Sequence, residues 1–160
     1  MTDSKADTNE LRDLYRELIL DHARSPRHFG RPPTVTHSAD GINPLCGDKL
    51  HLYLEVADGG HIDDIGFEGT GCAISMASAS LMTETVAGMD SSTALGYSAT
   101  LTARLTGSEN AGEIPAGFSL GKLRALEGVR EFPSRVKCAT LPWHALRAAL
   151  SADTRPASTE

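Results

Sequence analysis

Three cysteines and one aspartate stand in this 160-residue sequence where chemistry accounts for them better than packing does. Cys46 lies in the turn-like run Asn43-Pro44-Leu45-Cys46-Gly47-Asp48, with the Asp48 carboxylate two residues from the sulfur. Cys72 closes Gly69-Thr70-Gly71-Cys72, where a strand pattern hands over to a helical one, and Cys138 stands at or just before the last helical segment. A cysteine that only fills core space takes a periodic apolar position in place of Val or Ala, whereas all three here occupy junctions between elements. Two chemistries suit them. The unpaired N–H groups and dipole of a helix N-terminus favour thiolate over thiol, and Arg135 and Lys137 flank Cys138 with further positive charge, which makes nucleophilic sulfur. Equally, three thiolates and the Asp48 carboxylate complete a tetrahedral shell for zinc, which accepts sulfur and oxygen ligands without redox change. The spacing is not a CxxC pair, so spacing alone leaves both readings open.

The elements that must position these residues follow from periodicity. Leu11, Leu14, Tyr15, Leu18 and Ile19 form the stripe of an amphipathic helix from Glu10 to Arg24, with a capping start at Asp7 and a stop at Ser25-Pro26. Leu50, Leu52, Leu54 and Val56 alternate with His51, Tyr53 and Glu55 as a half-buried strand. Asp58-Gly59-Gly60 is a turn, and Ile62, Ile65 and Phe67 continue as a second strand, so residues 50–68 read as an antiparallel hairpin, with Thr34 to Ala39 as a third strand. Helices are expected from Cys72 to Val86, from Ser91 to about Leu105, over a short stretch from Leu120 to Gly128, and from about Cys138 to Leu150 with Pro142 in its first turn. A polar loop spans residues 107–117. The expected fold is α+β, a small antiparallel three-stranded sheet covered by helices. Residues 10–150 make one domain between a disordered start at 1–9 and a disordered tail at 151–160, neither of which has apolar residues to offset ordering entropy.

Composition narrows the function. Fifteen Lys and Arg against 21 Asp and Glu give a net charge of -6, which argues against binding to a phosphate backbone and so against nucleic acid as a partner. No window approaches a membrane span, and residues 1–10 are unlike a targeting peptide, so the expected compartment is the cytoplasm and no membrane partner is expected. An odd number of cysteines cannot pair completely within one chain, and a reducing compartment disfavours even one disulfide.

Four blocks in order carry a resemblance. They are Asp21-His22 with Ser25-Pro26-Arg27-His28-Phe29-Gly30, Asn43 to Asp48, Phe67 to Ser75, and Arg135-Val136-Lys137-Cys138-Ala139-Thr140-Leu141-Pro142-Trp143. Together they resemble the SufU/IscU (NifU N-terminal-like) iron-sulfur assembly family over about residues 10–150. Within it the chain is similar to the SufU branch, on the long interval between Cys72 and Cys138 and on Lys137, where IscU-type proteins carry histidine. Protonated lysine cannot coordinate metal and supplies only charge. The resemblance implies one zinc ion on Cys46, Asp48, Cys72 and Cys138. It implies that Cys46 accepts sulfur from a SufS-type cysteine desulfurase, whose histidine takes the first cysteine's place on the zinc, and that Arg135 pairs with Asp48 during that exchange. A downstream iron-sulfur assembly scaffold would receive the sulfur. The chemistry agrees, because sulfur transfer is attack of an accessible thiolate on a sulfur–sulfur bond. Gly47, Gly69 and Gly71 would keep the approach of a partner loop free of side chains.

Two other readings use the same ligands. One is an IscU-type scaffold, with iron or an iron-sulfur cluster in place of zinc. The other is a zinc site that only holds the fold together, which a 160-residue chain with its own core does not need. Of the six histidines, His51 and His61 fall on or beside solvated strand faces, His144 points elsewhere on its helix, and His22 and His28 are assigned to packing or partner contact. The acid-rich loops are expected to be solvated surface, with Glu109 and Glu113 in the long interval as candidates for partner contact.

Overall fold

The structure is a computed structural model that describes residues 4–107, 119–151 and 157–158; for residues 4–11, Glu131 and 157–158 only the backbone is considered. Three strands, β1 (His37–Asn43), β2 (Asp48–Val56) and β3 (Ile62–Thr70), pair antiparallel in the order β3-β2-β1. The alternation read from the sequence is met: Leu50, Leu52 and Leu54 are buried and His51 and Tyr53 are half-buried, so one sheet face turns to the core and the other to water. The third strand is His37–Asn43, displaced toward the chain end from the expected Thr34–Ala39, and it brings the Asn43-to-Asp48 turn into the sheet as a hairpin.

Helices α1 (Ser4–Arg24), α2 (Ala73–Val86), α3 (Ser91–Thr106) and α4 (Pro133–Leu150), with a 3₁₀ helix at Gly121–Glu131, cover the core face. Among them α2 contacts β3, α4 contacts β1 and β2, and α1 and α3 lie outside α2 and α4. A helix enclosed on both sides needs small or apolar residues all round. The run Ser75-Met76-Ala77-Ser78-Ala79-Ser80-Leu81-Met82-Thr83 meets that demand, and all but Met76 are buried. The buried serines are spent on neighbours: Ser78 Oγ donates to the Ala139 carbonyl and accepts from Trp143 Nε1 at 3.2 Å, which ties α2 to α4. Leu120, Leu123, Leu126 and Val129 are buried at every third position, the period of a 3₁₀ helix, and this explains why the short helix expected to end at Gly128 runs on to Glu131 in that form.

Several expectations are corrected. Helix α1 begins at Ser4, so residues 4–9 are helical where an unordered start was expected; once a helix is nucleated each further residue adds a hydrogen bond at little cost. Its core face is Tyr15, Leu18, Ile19 and His22, and Leu14 is 65% exposed at the edge of that face. Ala157–Ser158 pairs parallel with Gly41 and Ile42, so part of the expected disordered tail adds to the sheet as β4, because an edge strand offers its free backbone groups to any extended segment. Cys138 is the sixth residue of α4 and Pro142 lies inside the helix, not in its first turn. The loop expected over 107–117 lies outside the described residues from 108 onward, Glu109 and Glu113 with it.

His22 serves packing, whereas His28 is exposed. His22 is fully buried with Nδ1 2.7 Å from Ser80 Oγ, and burial holds its pKa below the usual histidine value. His28, in a left-handed conformation (φ 58°), lies 3.1 Å from Thr83 Oγ1. No described helix is long and apolar enough to cross a membrane.

Candidate metal centre

The hairpin from β1 to β2 presents the first two donors. Asn43 ends β1 and Asp48 begins β2 as its register partner, and the turn between them closes through hydrogen bonds from the Cys46 and Gly47 N–H groups to the Asn43 carbonyl at 3.3 and 2.9 Å. Gly47 takes φ 72°, which an L side chain adopts only with strain. The turn holds Cys46 exposed at its tip and leaves Asp48 wholly buried at its base.

Helix α4 brings the third donor. Cys138 Sγ lies 3.5 Å from Cys46 Sγ, and donor atoms of Cys46, Asp48 and Cys138 all fall within 4.8 Å of one another. Pro142 has no N–H to give the Cys138 carbonyl four residues before it, so the helix is relieved of one hydrogen bond at the turn that carries the cysteine.

Cys72 is the N-cap of α2, as its position after Gly71 suggested. Its Sγ accepts from the Ser75 N–H at 3.4 Å, and its own N–H donates to Asp48 Oδ1 at 2.9 Å. Its sulfur stands outside the group of three donors, yet close enough to Cys138 to act on its thiol. Burial, and then contact with Asp48, Cys46 and Cys72, push the Cys138 thiol far above its ordinary pKa. The expected helix-dipole activation of Cys138 is therefore not met, since the dipole acts within the first turn and Cys138 lies beyond it. A metal ion held there would supply what is missing, because coordination deprotonates a thiol that burial would otherwise keep neutral.

The donor set fits zinc: sulfur from cysteine and oxygen from a buried carboxylate converge where helix and hairpin meet. The glycines fit it too, though not as a cleared approach. A Cβ on Gly71 would stand 2.8 Å from Asp48 Oδ1, and one on Gly69 would collide with the Lys49 carbonyl on the neighbouring strand, so both let the chain close around Asp48. Arg135 lies exposed on the first turn of α4, and among the described residues it forms no ion pair with Asp48.

One site residue was missed. Asn43 is fully buried, and its Nδ2 donates to Asp48 Oδ2 at 3.2 Å and to Cys138 Sγ at 3.5 Å, joining the hairpin's carboxylate to the helix's thiol. In the sequence, Asn-Pro reads only as a turn start. The usable signal was its position directly before the turn that bears two donors. Replacing Asn43 with Ala is expected to weaken zinc affinity about 10- to 100-fold, the usual cost of losing a group that orients ligands, read by competition with a chromogenic chelator.

Residues 14–139 match the family described as the NifU-like N terminal domain. The chain belongs to the NifU-like N-terminal domain family. Among its relatives, the zinc-dependent sulfurtransferase SufU of Bacillus subtilis (strain 168) is 44% identical over 135 residues, 83% of this chain and 86% of that protein. The iron-sulfur cluster assembly scaffold protein IscU of Streptococcus pyogenes serotype M1 is 39% identical over 142 residues, 89% of this chain and 86% of that one. The crystal structure of FiSufU from Fervidobacterium islandicum AW-1 superposes with a TM-score of 0.72 at 34% identity, covering 84% of this chain and 94% of its own. As a NifU-like N-terminal domain, the chain has the α+β fold of these relatives.

Proposed function

We propose that this protein is a zinc-dependent sulfurtransferase that takes persulfide sulfur from a SufS-type cysteine desulfurase in the cytoplasm and hands it to a downstream iron-sulfur assembly scaffold. The observation that carries this reading is the unequal burial of one ligand cluster: Cys46 is exposed at a turn tip while Asp48 and Cys138 beside it are buried. A centre serving structure alone would enclose every ligand. Here one sulfur faces the solvent from which a partner must come. The similarity to SufU of Bacillus subtilis supports zinc as the metal.

Cys46, Asp48, Cys72 and Cys138 would hold the zinc, which when bound keeps the thiols deprotonated. The remaining work belongs to the chain. The Cys46 thiolate attacks the terminal sulfur of the desulfurase persulfide; its new sulfur–sulfur bond forms as the old one breaks, and the electron pair leaves on the desulfurase cysteine. The buried Asn43 amide keeps Asp48 and Cys138 in register while this happens. Arg135, three residues before Cys138, is the counter-charge for Asp48 while Cys46 carries sulfur.

The test is to purify the protein without oxygen, measure zinc, iron and labile sulfide per chain, and add a cysteine desulfurase with radiolabelled cysteine. Stoichiometric zinc, a faster desulfurase and label on this chain are expected. Iron with labile sulfide, no label and an unchanged desulfurase rate would replace this reading with the scaffold, which the relation to IscU of Streptococcus pyogenes favours.

A further inference from the structure

A groove of about 1120 Å³ lies between α1, the start of α2, the end of α3, the 3₁₀ helix and the start of α4, beside the segments that carry Cys72 and Cys138. Ala73 and Ile74 line it immediately after Cys72, Arg135 lines it one turn ahead of Cys138, and Phe132 lines it at the N-cap of α4. Its rim carries five arginines, Arg12, Arg16, Arg124, Arg130 and Arg135, all exposed. Among the described residues none of the five belongs to an ion pair. Glu127 is the acid lining it, and Arg104 already holds that carboxylate at 2.7 Å.

Fifteen basic residues serve the whole of a chain with net charge -6, and a third of them border this one groove. Such a concentration against the overall sign marks a local field and not a general surface property. The floor is apolar, with Ile19 and Val129 buried beneath it, and Phe132 stands 52% exposed at its edge. A free phosphate would use the cations and leave that floor bare. A protein segment with acidic residues around an apolar side chain uses both.

We propose that this groove docks an acidic segment, anchored by an apolar side chain, of the cysteine desulfurase that delivers sulfur to Cys46. The inference rests on the function proposed above and names the surface that function needs. Docking there sets the partner beside Cys72 and Cys138, and the arginines draw it in from solution before any contact with Cys46 is made.

The test uses the zinc-loaded chain with Arg16, Arg124 and Arg130 changed together to Glu, none of them a metal ligand. Desulfurase affinity and sulfur transfer are measured at low and physiological salt, with zinc content and thermal melting as controls for the fold. The dissociation constant is expected to rise about tenfold or more, mainly through slower association, and to lose most of its salt dependence. Transfer at saturating partner stays near the unaltered rate. If the triple variant melts early, the pair Arg124→Ala and Arg130→Ala replaces it, with a smaller shift in the same direction. A variant that binds the desulfurase as the unaltered chain does, while the unaltered chain accepts sulfur, overturns the docking surface and leaves the sulfurtransferase reading intact. An unaltered chain that binds the desulfurase through these arginines but accepts no sulfur upholds the surface and removes that reading. Sedimentation showing a dimer of this chain that the substitutions dissolve, or arginine dependence that vanishes when residues 109–117 are deleted, assigns the groove to another occupant and overturns the proposal.

Discussion

Changing Cys46 to Ala is expected to reduce sulfur acceptance to background while leaving the fold in place. The side chain stands exposed at the tip of the hairpin turn. The turn closes through backbone groups that alanine retains, namely the N–H groups of residues 46 and 47 on the Asn43 carbonyl. Gly47, which carries the demanding φ of 72°, is untouched. The substitution removes no core packing and only the weak, part-buried 3.5 Å contact that Cys46 Sγ accepts from Cys138, a change of about 0.5–1 kcal/mol, so the metal-free variant should melt close to the unaltered protein. Function has no such reserve. Cys72 is held as a helix cap, and Cys138 is buried with its thiol pushed upward, so neither replaces an exposed thiolate. The proposed zinc would be held more weakly with one thiolate gone, and zinc content is therefore measured beside transfer of radiolabelled sulfur. Transfer at the unaltered rate would move the acceptor to another cysteine.

The second large effect is expected from Asp48→Ala, and it falls on stability as well as on the metal. Asp48 is fully buried and accepts from Asn43 Nδ2 at 3.2 Å and from the Cys72 N–H at 2.9 Å. Alanine strands both donors in the interior, at about 1–3 kcal/mol for each. Loss of about 2–5 kcal/mol in urea unfolding of the metal-free chain follows, together with loss of stoichiometric zinc. Asp48→Asn separates the two effects. Its amide oxygen still accepts from the Cys72 N–H, so it should recover part of the stability while remaining a poor zinc ligand, because it has no charge to offset the metal. Equal stability of Asp48→Ala and the unaltered chain would show that Asp48 does not organise this junction.

Much of the fold was legible because its signals are local. The β2–β3 hairpin shows in the strict alternation from Leu50 to Val56 followed by Asp58-Gly59-Gly60, and α2 shows in the change of composition after Gly71. The 3₁₀ helix wrote its period into Leu120, Leu123, Leu126 and Val129. The start of α4 is not legible locally, because Pro142 by its own geometry belongs in a helix's first turn. A proline inside a helix costs about 3 kcal/mol. Burial of Leu141, Trp143, Ala145 and Leu146 under the sheet and α3 outweighs that cost, and the helix extends back to Pro133. The tail's pairing with β1 was illegible for a different reason, since backbone bonds at a sheet edge depend little on side chains.

By itself the sequence determined which atoms are available: three sulfurs and a carboxylate at junctions between elements, in four blocks that resemble one family. Residue type and neighbouring turn signals are properties of short stretches, and short stretches are what a sequence displays. Only the tertiary structure decided how those atoms differ from one another. Cys46 is left in solvent, Cys138 is enclosed, Cys72 caps a helix beside the cluster, and Asn43 joins two candidate donors that lie 90 positions apart, Asp48 and Cys138. Burial and hydrogen-bond partners are set by segments distant in the chain that meet only when the sheet and its helices close. The five arginines come from three separate elements, and their shared groove exists for the same reason.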